Sequence, residues 1–176
     1  MTGVGKLSLS AAEQAALAKW VNDGGTLIVD AAGGNAEFAA SAEQAIDAMF
    51  GGTAGRRALR RLAPSSPVYQ LQADGKDLRI DSVRYRRRTI PRVGRENSRY
   101  PSLRAVMLGN RAAVIFSRED LTAGLLGSAT STVDGYDPGG PEDFGSAYRL
   151  MRNAILYGAG QGASGAASQP AAAAAQ

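Results

Sequence analysis

Three groups of residues in this sequence have side chains and a spacing that could support binding or chemistry. The first is Asp30, which ends a short apolar run and precedes the glycine pair Gly33 and Gly34. The second is the acidic pair Glu119 and Asp120, directly after another apolar run. The third is a long segment in which arginine is unusually frequent. Each group has a functional interpretation and a plainer structural one.

Asp30 lies where open α/β sheets place ligands, at the carboxyl end of a strand, so it could anchor a ligand or a metal ion. The interpretation we favour is that it caps the next helix or accepts hydrogen bonds from nearby backbone N–H groups. Gly33 and Gly34, ahead of a helix, could hold an anion. Neither the GxGxxG nor the GxxxxGK[ST] pattern is present, which favours simple turn glycines.

The acidic pair could converge with Asp30 at one edge of the sheet. Paired carboxylates such as Asp30 and Asp120 would then suit a hard cation. A solvated loop is the favoured interpretation of Glu119 and Asp120, because nothing in the spacing requires convergence. No metal site and no cofactor are predicted from these residues.

The arginine-rich segment is the strongest electrostatic feature. Its arginines are Arg79, Arg84, Arg86, Arg87, Arg88, Arg92, Arg95, Arg99 and Arg104. Arg84, Arg86, Arg87 and Arg88, interleaved with tyrosines, could bind a polyanion through phosphate contacts and base stacking. A solvated face, or pairing with the 16 acidic residues, is favoured, because no nucleic-acid-binding motif accompanies the arginines. Nucleic acid is therefore not the expected partner.

Composition excludes several classes of catalysis. The chain has no cysteine and no histidine, which removes Cys-His and Ser-His-Asp nucleophiles, imidazole bases and zinc sites with nitrogen or sulfur ligands. The net charge is +4, but 17 of the 20 basic residues are arginine, a bias that GC-rich coding also produces. No apolar run approaches the roughly 20 residues of a membrane-spanning helix.

Local signals predict the elements that position Asp30. Ser10 and Glu13 form a capping box that begins a helix over residues 11–22. Its apolar face contains Leu17, Trp20 and Val21, and Trp20 is predicted to lie in the core. Gly24 and Gly25 end the helix, and residues 26–31 form a strand of a parallel sheet, covered on both faces.

A second helix follows, capped by Asn35 and ended by Gly51 and Gly52. Its buried stripe comprises Phe38, Ala42, Ala45, Ile46 and Met49. A short basic helix is predicted over residues 56–62, an extended piece over 68–71, a strand over 78–85 and an exposed irregular segment over 89–101.

The second half of the chain contains the clearest hairpin signal. Strands over 103–108 and 112–117 flank Gly109 and Asn110, a pairing typical of a tight primed turn. A long surface loop is predicted over 122–140. Phe144, Tyr148, Met151 and Ile155 then indicate a final amphipathic helix, capped by Asp143 and ended by Gly158. Residues 159–176 form an Ala/Gly/Ser/Gln tail that we expect to be disordered.

The segments LSLSAAEQAALAKWVNDGGTLIVDAAGG, NRAAVIFSREDLTAGLLG and SAYRLMRNAILYG, in this order, resemble the bacterial family named domain of unknown function 4159. The resemblance covers residues 5–158. It implies an α/β fold, a three-layer flavodoxin-like sandwich similar to class I glutamine amidotransferases. The expected sheet is partial and mostly parallel, with a late β-hairpin and a C-terminal helix. Such domains often form the C-terminal part of membrane-anchored bacterial proteins.

In that superfamily the corner after the strand that corresponds to residues 26–31 carries the nucleophilic cysteine. Here the corner runs from Asp30 through two alanines to Gly33 and Gly34, and the partner histidine is missing as well. Amidotransferase activity is therefore not carried over. The family pattern normally places a strand before the first helix, whereas this chain begins almost at that helix. We therefore expect an incomplete N-terminus. If the chain is complete, the sheet lacks a neighbouring strand and its edge should pair with a partner.

The sequence thus predicts an amidotransferase-like domain over residues 1–158 and a tail over 159–176. The expected function is a non-catalytic interaction or ligand-binding module of a larger bacterial envelope-associated protein. Its partner would be another protein or the missing upstream part of its own chain. Two alternatives stay open: a ligand- or metal-dependent enzyme that uses Asp30 and Asp120, and a polyanion-binding domain that uses the segment from Arg79 to Arg104.

Overall fold

A computed structural model describes residues 1–52, 57–128, 132–140 and 143–167, the last seven of these by their backbone only. It has a mixed α/β architecture around a five-stranded sheet of order β1-β2-β7-β6-β3. The strands are β1 (Thr2–Gly3), β2 (Leu27–Ala31), β3 (Arg60–Arg61), β4 (Gln72–Ala73), β5 (Lys76–Asp77), β6 (Arg104–Leu108), β7 (Arg111–Ser117), β8 (Gly139–Gly140) and β9 (Asp143–Phe144). The helices are α1 (Ala11–Asn22), α2 (Ala36–Phe50), α3 (Ile90–Val93), α4 (Thr122–Leu125) and α5 (Ser146–Ala167), with a 3₁₀ turn at Ala32–Gly34.

The strand directions bring several chain segments to one edge of the sheet. β1, β2 and β7 run parallel, β6 is antiparallel to β7, and β3 is antiparallel to β6. Asp30 pairs with Ser117, and Arg104 lies opposite both Phe116 and Arg61. The carboxyl ends of β2, β7 and β3 and the start of β6 therefore meet at one edge, which we call the carboxyl edge.

Buried side chains cover both faces of this sheet. On one face Val29, Ala31 and Val114 pack with α1 and α2 through Val21, Phe38 and Ile46. On the other face Ile115 and Ala105 pack with α5 and with the irregular chain before β6. Because β2 is covered on both sides and has parallel neighbours, its nearly unbroken apolar sequence is explained.

The local signals in the first half of the chain are confirmed. The Ser10 N–H donates to Glu13 Oε2 at 2.8 Å and the Glu13 N–H donates to Ser10 Oγ at 3.3 Å, which completes the capping box. The Phe38 N–H donates to Asn35 Oδ1 at 2.8 Å, and α2 ends at Gly51, whose φ of 77° is left-handed. The hairpin between β6 and β7 turns at Gly109, also left-handed.

Several predictions between α1 and β6 are wrong. Trp20 is 50% exposed and lies outside the core, because its ring packs over the backbone of Gly25, where a Cβ would leave no room. Arg60–Arg61 is a strand paired with β6 in place of a basic helix, while residues 53–56 lie outside the described part of the chain.

Residues 68–71 form turns, and 78–85 contain no strand because their backbone bonds to scattered partners: the Ile80 N–H donates to Tyr69 O and the Val83 N–H to Arg99 O.

The small hairpin of β4 and β5 was not predicted. It turns at Asp74 and Gly75, both with positive φ, a dipeptide typical of a primed turn.

The final helix differs from its prediction in its start, end and buried face. Asp143 belongs to β9, α5 begins at Ser146, and the helix continues past Gly158 to Ala167. Phe144 and Ile155 are exposed, and over residues 146–160 the buried residues are Ser146, Ala147, Leu150, Asn153, Ala154 and Tyr157. The face that packs against the sheet is thus rotated from the predicted stripe. The predicted disorder of residues 168–176 lies outside the described residues.

A strand does precede α1. The two residues of β1 pair in parallel with the end of β2, placing Thr2 opposite Asp30 and Gly3 opposite Ala31. The expectation that the chain begins without such a strand is therefore wrong. None of the described helices combines the length and the apolar character that crossing a bilayer requires.

Candidate functional site

Asp30 is the second-last residue of β2 and is almost completely buried, with 1% of its surface exposed. Its carboxylate accepts hydrogen bonds from the start of α4: Oδ1 from the Leu121 N–H at 3.0 Å, and Oδ2 from the Thr122 N–H at 3.0 Å and the Thr122 hydroxyl at 2.7 Å. Burial raises the pKa of Asp30, and these three hydrogen bonds oppose that rise. Asp30 therefore bonds to backbone N–H groups, but at α4 and not at α2, which Asn35 caps.

Asp120 is fully buried beside it. Its Oδ1 accepts from the Gly33 N–H at 2.7 Å and the Ala123 N–H at 3.0 Å, and its Oδ2 accepts from the Gly124 N–H at 3.0 Å. The N–H group of Gly33 thus does hold an anion, but that anion is the carboxylate of the protein's own Asp120. Gly34 has a left-handed φ of 69° and touches the backbone of Asp134, so a Cβ there would collide with it.

The two aspartates therefore converge at the carboxyl edge. Asp30 and Asp120, together with Gly33 and Gly34, form what we call the aspartate corner. All four carboxylate oxygens accept hydrogen bonds from the chain, and the negative charge of Asp120 contributes to the raised pKa of Asp30. A carboxylate held in this way fixes a loop to a strand end. Among the described residues no group of three or more acidic side chains is arranged to hold a metal ion.

Glu119 is buried, with 5% of its surface exposed, so the solvated-loop interpretation of Glu119 and Asp120 is wrong. Its Oε1 accepts from Arg92 Nη1 at 3.0 Å, and its Oε2 accepts from the Ser102 hydroxyl at 2.6 Å. The residue is held by groups from two distant segments of the chain. The sequence did not indicate that Glu119 is buried and paired, because neither partner is near it in sequence.

Beside Glu119 lies a cavity of about 350 Å³, which we call the arginine pocket. Its lining residues are Arg61, Tyr85, Arg92, Val93, Asn97, Ser102, Arg104, Arg118 and Glu119. Three of the four arginines come from the ends of strands that meet at the carboxyl edge: Arg61 from β3, Arg104 from β6 and Arg118 from just after β7. The fourth, Arg92, belongs to the short helix α3.

Two buried carboxylates partly balance these four guanidinium groups. Arg92 pairs with Glu119, and Glu43 of α2 accepts from Arg104 Nη1 at 3.1 Å and Arg118 Nη1 at 3.3 Å. Arg61 donates to the carbonyl oxygen of Pro101 at 3.2 Å. The lining residues and these ion-pair partners therefore carry two more positive than negative charges.

A hydrogen-bonded cluster supports the inner wall of the arginine pocket. The Tyr85 and Tyr136 rings stack with centroids 4.6 Å apart, and the hydroxyl of Tyr136 accepts from the Ser102 N–H at 3.0 Å. The Tyr85 hydroxyl donates to the carbonyl oxygen of Tyr100 at 2.8 Å. Burial raises the pKa of both tyrosines, so they remain neutral at physiological pH.

The four arginines predicted to bind a polyanion do not line this pocket. Arg84 pairs with Asp137 at 3.1 Å and Asp143 at 2.7 Å, and Arg88 pairs with Asp134 at 3.4 Å. Arg86 donates to the carbonyl oxygens of Tyr136 and Ser128. Arg87 is exposed. Three of the four thus contact acidic or carbonyl oxygen atoms of the chain itself.

A signal for the arginine pocket was present in the sequence. Arg104 directly precedes the apolar run of β6, Arg118 directly follows that of β7, and Glu119 comes next. Charged residues that flank both strands of a hairpin on its open side must meet at one sheet edge. Arg61 and Glu43 carried no such signal, because β3 was not predicted and Glu43 is one acidic residue among several on a helix.

Comparison with known proteins gives a family but no function. A search among proteins of curated function finds no match for this chain. The family model described as domain of unknown function (DUF4159) matches residues 1–158, which is most of the chain. The chain therefore belongs to the DUF4159 family, a family whose function is unknown.

Proposed function

We propose that this domain is a non-catalytic binding module whose ligand carries an anionic group, held in the arginine pocket. The observation that carries the proposal is the arrangement of four guanidinium groups around one cavity, three of which pair with two carboxylates among the described residues, while Arg61 donates to a backbone carbonyl. Arginine presents a planar set of donors that matches carboxylate and phosphate oxygens.

The position of the pocket supports the same proposal. It opens at the carboxyl edge of the sheet, beside the ends of β7 and β3, and ligands of open α/β sheets bind outside the carboxyl ends of strands. The side chains of Arg104 and Arg118 are 40% and 35% exposed, so their remaining donors face solvent. An entering anion would replace water at these donors.

The aspartate corner supports a role without catalysis. Asp30 and Asp120 accept six hydrogen bonds from backbone and side-chain donors, so neither is available as a nucleophile or general base without breaking them. The chain has no thiol or imidazole to replace them. The enzyme alternative therefore has no candidate group at this corner.

We also propose kinship with the class I glutamine amidotransferase-like, flavodoxin-like superfamily, as part of a larger bacterial envelope-associated protein. Support comes from the parallel order of β1, β2 and β7 and from the buried side chains on both sheet faces. At two residues, β1 is a short edge strand that an upstream segment could extend. The coding sequence upstream of Met1 tests this part: a further strand and an apolar anchor support it, and their absence contradicts it.

The binding proposal is tested by calorimetric titration with inorganic phosphate and with acetate. We expect binding by the unaltered protein and a strong loss in the double variant Arg104→Gln/Arg118→Gln. The matched control is Arg84→Gln, which removes an exposed, ion-paired arginine outside the pocket. Equal binding by all three proteins, or binding by none, would overturn the proposal. Circular dichroism checks that the double variant is folded.

A further inference from the structure

A second cavity adjoins the arginine pocket and differs from it in chemistry. It has a volume of about 480 Å³, and we call it the apolar cleft. Its lining residues are Arg61, Leu62, Ala63, Pro64, Tyr69, Gln70, Ile80, Asp81, Asn97, Tyr100 and Pro101. Arg61 and Asn97 line both cavities, so the two lie side by side.

The two cavities differ in the charges that line them. The arginine pocket supplies four guanidinium groups, whereas among the described residues the charged side chains that line the apolar cleft are the shared Arg61 and the acidic Asp81. Asp81 is exposed and lies 3.9 Å from Arg79, a weak contact for an ion pair. A ligand that spans both cavities would therefore meet several guanidinium groups in the arginine pocket, and mostly uncharged side chains together with the carboxylate of Asp81 in the apolar cleft.

We infer that the ligand is a small amphipathic organic acid, with one oxyanionic head in the arginine pocket and an apolar body in the apolar cleft. The inference rests on the proposed function and adds the class of ligand. Either cavity alone falls within the range of about 300–1,000 Å³ that is usual for small-molecule sites. Asp81 repels a second negative charge, which selects a single head over a dianion with charge at both ends.

The first test compares acetate, octanoate and octyl phosphate by calorimetric titration. Octanoate should bind about tenfold or more tighter than acetate, because burying two methylenes already gives about a tenfold gain. Comparing octyl phosphate with octanoate shows whether the pocket prefers a phosphate or a carboxylate head. Tighter binding of octanoate than of acetate, or of octyl phosphate than of inorganic phosphate, supports the inference.

The variant Ala63→Trp places a large ring in the apolar cleft at an exposed position. It should remove the gain of octanoate over acetate and leave acetate binding unchanged. The matched control is Ala15→Trp, which adds the same side chain on the exposed surface of α1. In the control the gain should persist.

The variant Asp81→Asn tests whether Asp81 disfavours ligands that carry a second negative charge. In the unaltered protein suberate, with a carboxylate at each end, should bind more weakly than octanoate, and in Asp81→Asn this difference should shrink. Equal affinities of acetate and octanoate, both lost in Arg104→Gln/Arg118→Gln, would overturn this inference and leave the anion site intact. Octanoate binding that survives in the double variant would overturn both the inference and the proposed function.

Discussion

The aspartate corner and the arginine pocket lie at the same edge of the same sheet, yet they use their charged groups in opposite ways. At the corner, Asp30 and Asp120 are buried and every carboxylate oxygen accepts a hydrogen bond from the chain. In the pocket, three of the four arginines share two carboxylates, and Arg104 and Arg118 are partly exposed to solvent. The difference teaches that a charged residue at a strand end indicates a ligand site only when its hydrogen-bonding capacity is not already used within the fold.

The largest expected effect is on stability at the aspartate corner. Asp120→Ala leaves the buried N–H group of Gly124 and the half-buried N–H groups of Gly33 and Ala123 without their acceptor, so the free energy of unfolding should fall by about 3 kcal/mol. Urea denaturation measures this change. Asp23→Ala, which removes an exposed carboxylate paired with Lys19, is the control and should change stability much less. A loss no larger than that of the control would contradict the structural role of Asp120.

Asp30→Asn should lower the free energy of unfolding by about 2 kcal/mol, because an amide places donors where Leu121 and Thr122 also donate. The loss should depend on pH. Burial raises the pKa of Asp30, so the native protein binds its proton to higher pH than the unfolded chain does. The stabilisation that Asp30 provides is therefore greatest below its unfolded pKa and decreases as pH rises through the native pKa.

The difference in stability between the unaltered protein and Asp30→Asn should accordingly shrink from about pH 3.5 towards neutrality. Urea denaturation of both proteins across this range gives the measurement. A difference that grows with pH would mean that the hydrogen bonds outweigh burial at this carboxylate.

The variant Glu43→Gln tests the charge balance of the arginine pocket. The variant removes a buried carboxylate that pairs with Arg104 and Arg118, so phosphate should bind about threefold tighter. The free energy of unfolding should fall by only about 1 kcal/mol, because the partly exposed arginines that lose their ion pairs regain hydrogen bonds with water. Calorimetric titration and urea denaturation measure the two effects. Weaker phosphate binding would show that Glu43 orients the arginines more than it opposes the anion.

The smallest effect is expected outside both regions. Arg84 is exposed and paired with Asp137 and Asp143, so Arg84→Gln should leave phosphate affinity unchanged and alter stability within the error of denaturation. The polyanion alternative predicts otherwise, namely a clear loss of heparin or DNA binding. A salt-dependent loss of heparin binding in Arg84→Gln would move the binding surface away from the pocket.

The elements that the sequence predicted well are those whose signals are complete within a few residues. The capping box at Ser10, the cap at Asn35, the left-handed Gly51 and the turn at Gly109 each satisfy backbone groups or supply a conformation locally. The strand at Leu27–Ala31 was found because an apolar run of that length fits a buried parallel strand.

The elements that it missed depend on distant partners. β3 is a strand only because β6, more than forty residues later, pairs with it. The helix α5 has apolar residues on more than one side, and packing against the sheet selected Leu150, Ala154 and Tyr157 over Ile155, while Phe144 belongs to β9. Trp20 was assigned to the core because it shares an apolar helix face with Leu17 and Val21, whereas its ring packs on the surface against the backbone of Gly25.

The sequence by itself determined that no cysteine or histidine chemistry operates in this chain, where the first two helices begin and end, and the family to which the chain belongs. Only the tertiary structure decided which charged residues are free to meet a ligand. Asp30 finds its hydrogen-bond donors 91 and 92 residues away, and the arginine pocket draws its four arginines from separate segments of the chain. Whether a charge is used within the fold depends on such distant partners, which are set by the pairing of strands and the packing of layers.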